Sequence, residues 1–127
     1  MLFRYAKILE VRKLAGGLVP LPVQNAMVAA LTDSDHVAKQ RDRYNSRRAK
    51  IAAAIEKCGF KIEFSEAGLY LWATRNEEDW QSVDWFAAKG ILVTPGHFYG
   101  SAGSKYVRIA LTATDAQIDE VVNRLTK

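Results

Sequence analysis

The chain of 127 residues has one cysteine, two histidines and no long apolar run, and each scarcity removes a class of function. Cys58 alone cannot close an internal disulfide, and a single thiol fits a reducing, cytoplasmic setting. His36, His97 and Cys58 stand too far apart to show a metal-ligand spacing, so no metal is expected. No apolar stretch approaches the ~20 residues of a membrane span, so no membrane partner is expected. The opening MLFRYAKILEVRK is too charged and too briefly apolar for a secretory signal. Internal repeats and low-complexity segments are also missing. What remains is ordinary: 49% hydrophobic and 25% charged residues, the composition of a globular domain. The length fits one domain with a single core and is small for an enzyme with its own cofactor fold.

The net charge of +4 is mild, and much of it comes from Lys39, Arg41, Arg43, Arg47, Arg48 and Lys50, set against Asp42. Such a run is a nucleic-acid footprint or the solvated face of a long helix. No nucleic-acid motif accompanies it, which favours the solvated face.

Read in order, Leu2, Tyr5, Ile8, Leu9 and Arg12 recur at helical spacing, and Gly16-Gly17 ends that helix. Leu18 to Pro22 is extended, because each proline disfavours helical geometry in the residue before it. Pro22 then serves the first turn of a second helix, in which Val23, Met27, Ala30 and Leu31 share a face. Thr32-Asp33-Ser34 caps a long helix from Asp35 to Lys57, with Val37, Arg41, Tyr44, Arg48, Ile51, Ile55 and Cys58 as its seam. Its first half is predicted to be half-buried, with arginine stems lying on neighbours. Gly59 is the terminator, and Cys58 reads as a small buried hydrophobe.

Strands are predicted over Lys61–Phe64 and Leu69–Thr74, the second central and covered on both faces. Asn76 with Asp79 reads as a variant capping box for a helix to Lys89, burying Trp80, Val83, Phe86 and Ala87. Thr114-x-x-Gln117 opens the last helix with a capping box, followed by the stripe Ile118, Val121, Val122 and Leu125. The elements together predict an α+β fold, α/β-like in a looser sense, with a small mixed sheet covered by helices on one side.

The stretch from Ile91 to Thr114 organises the rest: a short strand, a Pro-Gly loop, and a strand carrying Arg108. Period-two alternation puts Val107, Ile109 and Leu111 on one face and Tyr106, Arg108, Ala110 and Thr112 on the other. An arginine there is either an edge charge that resists aggregation or the anchor of an anion pocket. Its planar fork suits a carboxylate or phosphate held by two parallel hydrogen bonds.

Three blocks carry a resemblance. They are V-T-P-G-x-x-Y-G leading to Y-V-R-I-A-L-T-A-T-D, the strand Glu66-Ala-Gly-Leu-Tyr-Leu-Trp72, and the helix entry Val19-Pro-Leu-Pro-Val-Gln-Asn-Ala26. In that form the chain resembles, over nearly its whole length, the C-terminal small domain of class I/II pyridoxal-phosphate (PLP) aminotransferases of fold type I. Within the family it resembles the actinobacterial N-succinyldiaminopimelate type, which implies lysine biosynthesis with glutamate and 2-oxoglutarate as co-substrates. The resemblance implies that Arg108 grips the substrate α-carboxylate and that Pro95 to Gly100 forms the lip of the active site. Gly96, His97 and Phe98 are then candidates to touch substrate.

The same resemblance leaves the Schiff-base lysine and the cofactor's phosphate loop outside this sequence. Ser104-Lys105 lacks the glycine that follows the family's serine-lysine motif, and it lies in the stretch that matches the carboxylate arginine. No catalytic and no cofactor-binding residue is therefore expected here. The chain is expected to be the C-terminal part of a larger enzyme, inactive alone, with residues 1–31 linking to a large PLP domain and 32–127 as the small-domain core. A homodimer is implied for the whole enzyme. The competing readings are a nucleic-acid-binding module using the basic helix 39–50, and a stand-alone interaction domain.

Overall fold

The computed structural model describes residues 2–127, with side chains from Tyr5 onward, so Leu2's part in the first apolar stripe lies outside the described residues. The chain divides into two compact units, residues 1–38 and 39–127. In the first unit, α1 (Leu2–Leu14) ends where Gly16 turns to φ 71° and the Gly17 N–H closes onto the Arg12 carbonyl at 2.7 Å. Helix α2 (Leu21–Thr32) begins behind Pro20, with Pro22 in its first turn, where a missing N–H costs no helical bond. Asp33 caps α3 (Ser34–Lys57), its Oδ1 accepting from the Asp35 and His36 amides at 3.0 and 3.3 Å. Every described side chain from Tyr5 to Val37 is exposed.

The second unit holds most of α3, then β1 (Lys61–Glu63), β2 (Tyr70–Thr74), α4 (Asp79–Ala88), β3 (Thr94–Pro95), β4 (Val107–Ala110) and α5 (Asp115–Thr126). The strands form one sheet in the order β1-β2-β4-β3, and every pair is antiparallel. The α+β fold is as expected, but the sheet is antiparallel throughout rather than mixed. Strand β1 stops one residue early, because Phe64 takes a positive φ of 51° and leaves the ladder.

One face of the sheet carries the core. Leu71, Ala73, Val107 and Ile109 pack with Ile51, Ala54 and Ile55 of α3, Phe86 of α4, and Ile118 and Leu125 of α5. The other face, with Tyr70 exposed and Trp72 and Arg108 half-buried, has no such cover, so the expected two-sided cover of β2 is not found. The α3 seam is also rotated from the predicted one. Ile51 and Ile55 are buried as expected, but Arg47 and Ala54 join them, while Val37 and Arg41 are exposed. Arg47 donates from Nε to Asp115 Oδ1 at 2.6 Å and from Nη1 to the Leu111 carbonyl at 3.1 Å, tying α3 to the start of α5.

Helix α4 is not opened by the predicted box. Its N-cap is Glu78, without a side-chain cap bond, and Asn76 sits beyond β2 at φ 62°. The buried residues of α4 are Asp79, Ser82 and Phe86; Trp80 and Ala87 are exposed and Val83 is half-buried. The Thr114–Gln117 box on α5 is present in both directions. Cys58 is half-buried at the end of α3, its thiol donating to the Leu125 carbonyl at 3.4 Å.

Candidate functional site

The open face of the sheet is built by register. Arg108 on β4 stands opposite Trp72 on β2 and Thr94 on β3, so a strand lies on each side of it. Opposed residues of an antiparallel pair share a face, which puts Tyr70 and Trp72 on the same side as Arg108. The guanidinium carbon lies 4.2 Å from the Tyr70 ring centre and 5.0 Å from that of Tyr99. Trp72 stacks on Tyr106 at 5.2 Å and meets Tyr99 edge-on at 5.9 Å. Tyr106 in turn donates from its hydroxyl to Glu63 Oε2 at 2.7 Å. That bond holds the phenol above its ordinary pKa, while hydrogen bonds from Lys61 and then Tyr106 hold Glu63 below its own. The result is a floor of aromatic rings with one cation set in it.

The Arg108 side chain makes no hydrogen bond or ion pair with any described residue, and its Nε is shielded from solvent without a partner. Arg48 Nε is likewise buried without a partner, so what distinguishes Arg108 is its place among the rings on the open face of the sheet. A planar guanidinium with free in-plane donors is suited to a carboxylate.

The loop beside it runs from β3 through two short 3-10 turns, Gly96–Tyr99 and Ser101–Gly103, to β4. Gly96 is buried, and its N–H donates to the Tyr106 carbonyl at 2.9 Å. Its place is in the packing of the loop onto β4. His97 belongs to a different group. Its backbone N–H and its Nδ1 both reach Asp79 Oδ2, at 2.9 and 2.6 Å, and its ring lies against Phe98 and Trp80. Phe98 is exposed. Asp79 is only 3% exposed. Burial alone pushes its carboxyl up, but hydrogen bonds from the His97 backbone and ring and from Trp80 outweigh this and hold it below its ordinary value.

Of the four residues offered by the resemblance, Arg108 is thus set in the aromatic floor, while His97 and Phe98 sit together on the loop and Gly96 is the buried residue that opens it. Tyr99 and Tyr70 were not anticipated as partners of Arg108. For Tyr70 the signal was available, because it shares a strand face with Trp72.

The residues around Arg108 offer a carboxylate an anchor, but they offer an aldehyde cofactor no amine. Lys105 is exposed, and its Nζ bonds Asn76 Oδ1 at 3.3 Å, beyond the end of β2. These residues do not by themselves make a cofactor site. A cleft of about 640 Å³ lies elsewhere, between Gly90–Leu92 and α5, and is mostly apolar. Its rim charges Arg124 and Glu120 pair with each other at 2.8 Å. Among the described residues no cluster of metal-binding side chains occurs, and no helix is long and apolar enough to cross a membrane.

The solved structures that this fold matches are fold-type-I aminotransferases, consistent with an α+β small domain. The structure of N-succinyldiaminopimelate aminotransferase from Mycobacterium tuberculosis aligns at a TM-score of 0.72 over 91% of this chain and 32% of that one, with 23% identity, which speaks for the fold alone. The chain belongs to the family "Aminotransferase class I and II", whose profile matches residues 8–125. It is 58% identical over 120 residues to the 4-dedimethylamino-4-oxo-anhydrotetracycline transaminase OxyQ of Streptomyces rimosus, covering 94% of this chain and 33% of that protein. It is 40% identical over 108 residues to LL-diaminopimelate aminotransferase of Oleidesulfovibrio alaskensis, covering 81% of this chain and 28% of the relative. The chain therefore spans about a third of the length of the curated relatives it matches.

Proposed function

We propose that this chain is the small-domain part of a PLP-dependent aminotransferase and that Arg108 holds the α-carboxylate of the amino acid and 2-oxo acid substrates. The observation that carries the reading is the unpartnered guanidinium of Arg108 on the aromatic face of the sheet. When bound in the complete enzyme, PLP supplies the electron sink for amino-group transfer. This chain's part is to bind and orient the carboxylate. Residues 1–31 are proposed as the link to a large domain that carries the cofactor lysine, and the complete enzyme as a cytoplasmic homodimer. Their exposed apolar side chains, among them Leu18, Leu21 and Leu31, support an interface role.

For the substrate, we propose N-succinyl-LL-diaminopimelate with glutamate and 2-oxoglutarate, in lysine biosynthesis. The LL-diaminopimelate aminotransferases among the relatives support this class, whereas the OxyQ relative is named for a transaminase of a tetracycline ketone. A panel of amino donors and acceptors with the complete enzyme separates the two. In that enzyme Arg108→Ala should lower kcat/KM for every amino acid, because truncating one member of a desolvated charge pair costs roughly 2–5 kcal/mol. At about 1.36 kcal/mol per tenfold, the loss is roughly thirty- to several-thousand-fold. Arg108→Lys should restore little, since an ammonium cannot make two parallel in-plane bonds. A near-wild-type kcat/KM for Arg108→Ala would reduce the arginine to a surface charge.

Three of the basic side chains of α3 are engaged within the protein. Arg47 and Lys50 are paired with Asp115 and Asp119 of α5, and Arg48 donates to the Gly68 carbonyl.

A further inference from the structure

We propose that Tyr70 and Tyr99 are positioning residues for Arg108, and that Asp79 keeps Tyr99 in place through the loop it anchors. The proposal rests on the reading of Arg108 as a carboxylate ligand and adds what sets its orientation.

An arginine used for binding usually has a protein carboxylate or carbonyl to fix its plane. Arg108 has neither among the described residues, so its hydrogen-bond donors do not hold it. The two tyrosine rings, 4.2 and 5.0 Å from the guanidinium carbon, are the contacts that can. A ring packed on the guanidinium restricts its tilt and uses none of its in-plane donors. Restraint of this kind lowers the ordering cost of gripping a ligand.

The two rings are held differently. Tyr70 is fixed by β2, between β1 and β4 in the sheet. Tyr99 rides on the loop, more than half exposed, with the edge of Trp72 against it. Asp79, buried at the start of α4, ties the loop on both sides of Tyr99. Its Oδ2 accepts from His97 N and Nδ1 at 2.9 and 2.6 Å, and its own N–H donates to the Ser104 carbonyl at 2.8 Å. A carboxylate that never touches the ligand thus sets where the second ring stands.

The test is NMR of the ¹⁵N-labelled chain, following the Arg108 side-chain Nε–H signal without ligand and during titration with 2-oxoglutarate. The signal should be ring-shifted and slow to exchange, and 2-oxoglutarate should move it. Tyr70→Phe and Tyr99→Phe should keep the shift and the Kd within about twofold, because the ring is what acts. Tyr70→Leu and Tyr99→Leu should reduce the shift and raise Kd about fivefold, the upper size of an exposed cation–π contact. Asp79→Asn should reproduce Tyr99→Leu with the Tyr99 ring still present, which covers the case in which a leucine variant fails to fold. Leucine variants and Asp79→Asn with unchanged shift, exchange and Kd would overturn the proposal. If 2-oxoglutarate does not move the wild-type signal, or Arg108→Ala leaves 2-oxoglutarate binding intact, the carboxylate reading itself fails. The ligand-free shift and exchange in the variants still decide the positioning role.

Discussion

Gly96 and Gly103 face each other across the loop so closely that a β-carbon built on either would stand 2.2 Å from the other's carbonyl oxygen. The obstructing atoms are backbone, which cannot swing aside as a side chain can. Gly96→Ala and Gly103→Ala should therefore each destabilise the fold by about 1–3 kcal/mol, the usual cost of overpacking. Chemical denaturation with an unchanged m-value is the expected form of the result, and a midpoint equal to wild type would show that the loop relaxes freely.

The Arg47 guanidinium is nearly buried and bonded to Asp115 and the Leu111 carbonyl. Arg47→Ala should cost about 1–3 kcal/mol, because it leaves the Leu111 carbonyl unpaired inside the fold. Calorimetry or urea unfolding checks the value.

The same pair gives a pH dependence. Arg47 holds the Asp115 carboxyl below its ordinary value, chiefly by its hydrogen bond. A depressed folded-state pKa contributes stability that is complete above the unfolded value, near 3.8, and lost as the pH falls through the lower folded value. Asp115→Asn should flatten the acid limb of the stability curve in that window and leave the slope above pH 5 unchanged. An identical acid limb in the variant would remove the pair from the explanation.

Lys105 should not hold PLP as an imine. Its Nζ is engaged with Asn76, and it lacks the sequence setting of a Schiff-base lysine. Borohydride treatment of the chain with PLP should leave Lys105 no more labelled than other exposed lysines. Stoichiometric labelling at Lys105 would reverse this.

The chain should self-associate through its first unit. Leu18, Val19, Leu21 and Val23 are all exposed, and α2 has no buried residue. Exposed apolar patches of more than a few hundred Å² usually mark interfaces. Salt screens the mild repulsion from a charge of +4 and should strengthen association, while Leu18→Glu or Leu21→Glu should weaken it. Light scattering decides the matter, and a monomer at every concentration would contradict it.

Much of this was legible in the residues, for physical reasons. The alternation of Val107, Ile109 and Leu111 identified β4 because one face of that strand is buried and the other is not. The Thr114–Gln117 box was legible because its two bonds are local. Strand direction was not, since alternation reports which face a residue takes and says nothing of its neighbour's sense. Arg48 was placed in the α3 seam where Arg47 belongs, because two adjacent arginines differ by only one step of helical phase. Asp79 was read as part of a local cap, although its carboxylate is held by His97, a partner far along the chain. The strand of Tyr70 was expected to be covered on both faces, because nothing local reveals that Tyr70 packs against a cation on a neighbouring strand.

The pairing of Trp72 with Arg108 brings together two strands separated in sequence by α4 and the whole loop. Contacts of such long range carry a large loop-closure cost, so the arginine and its floor should be assembled late and together with the core, not as a local nucleus. Backbone amides of β2 and β4 should then exchange with deuterium only through global unfolding, while those of the loop exchange through smaller openings. The arginine would be as durable as the domain itself, and the Tyr99 ring would leave it only in those smaller openings of the loop.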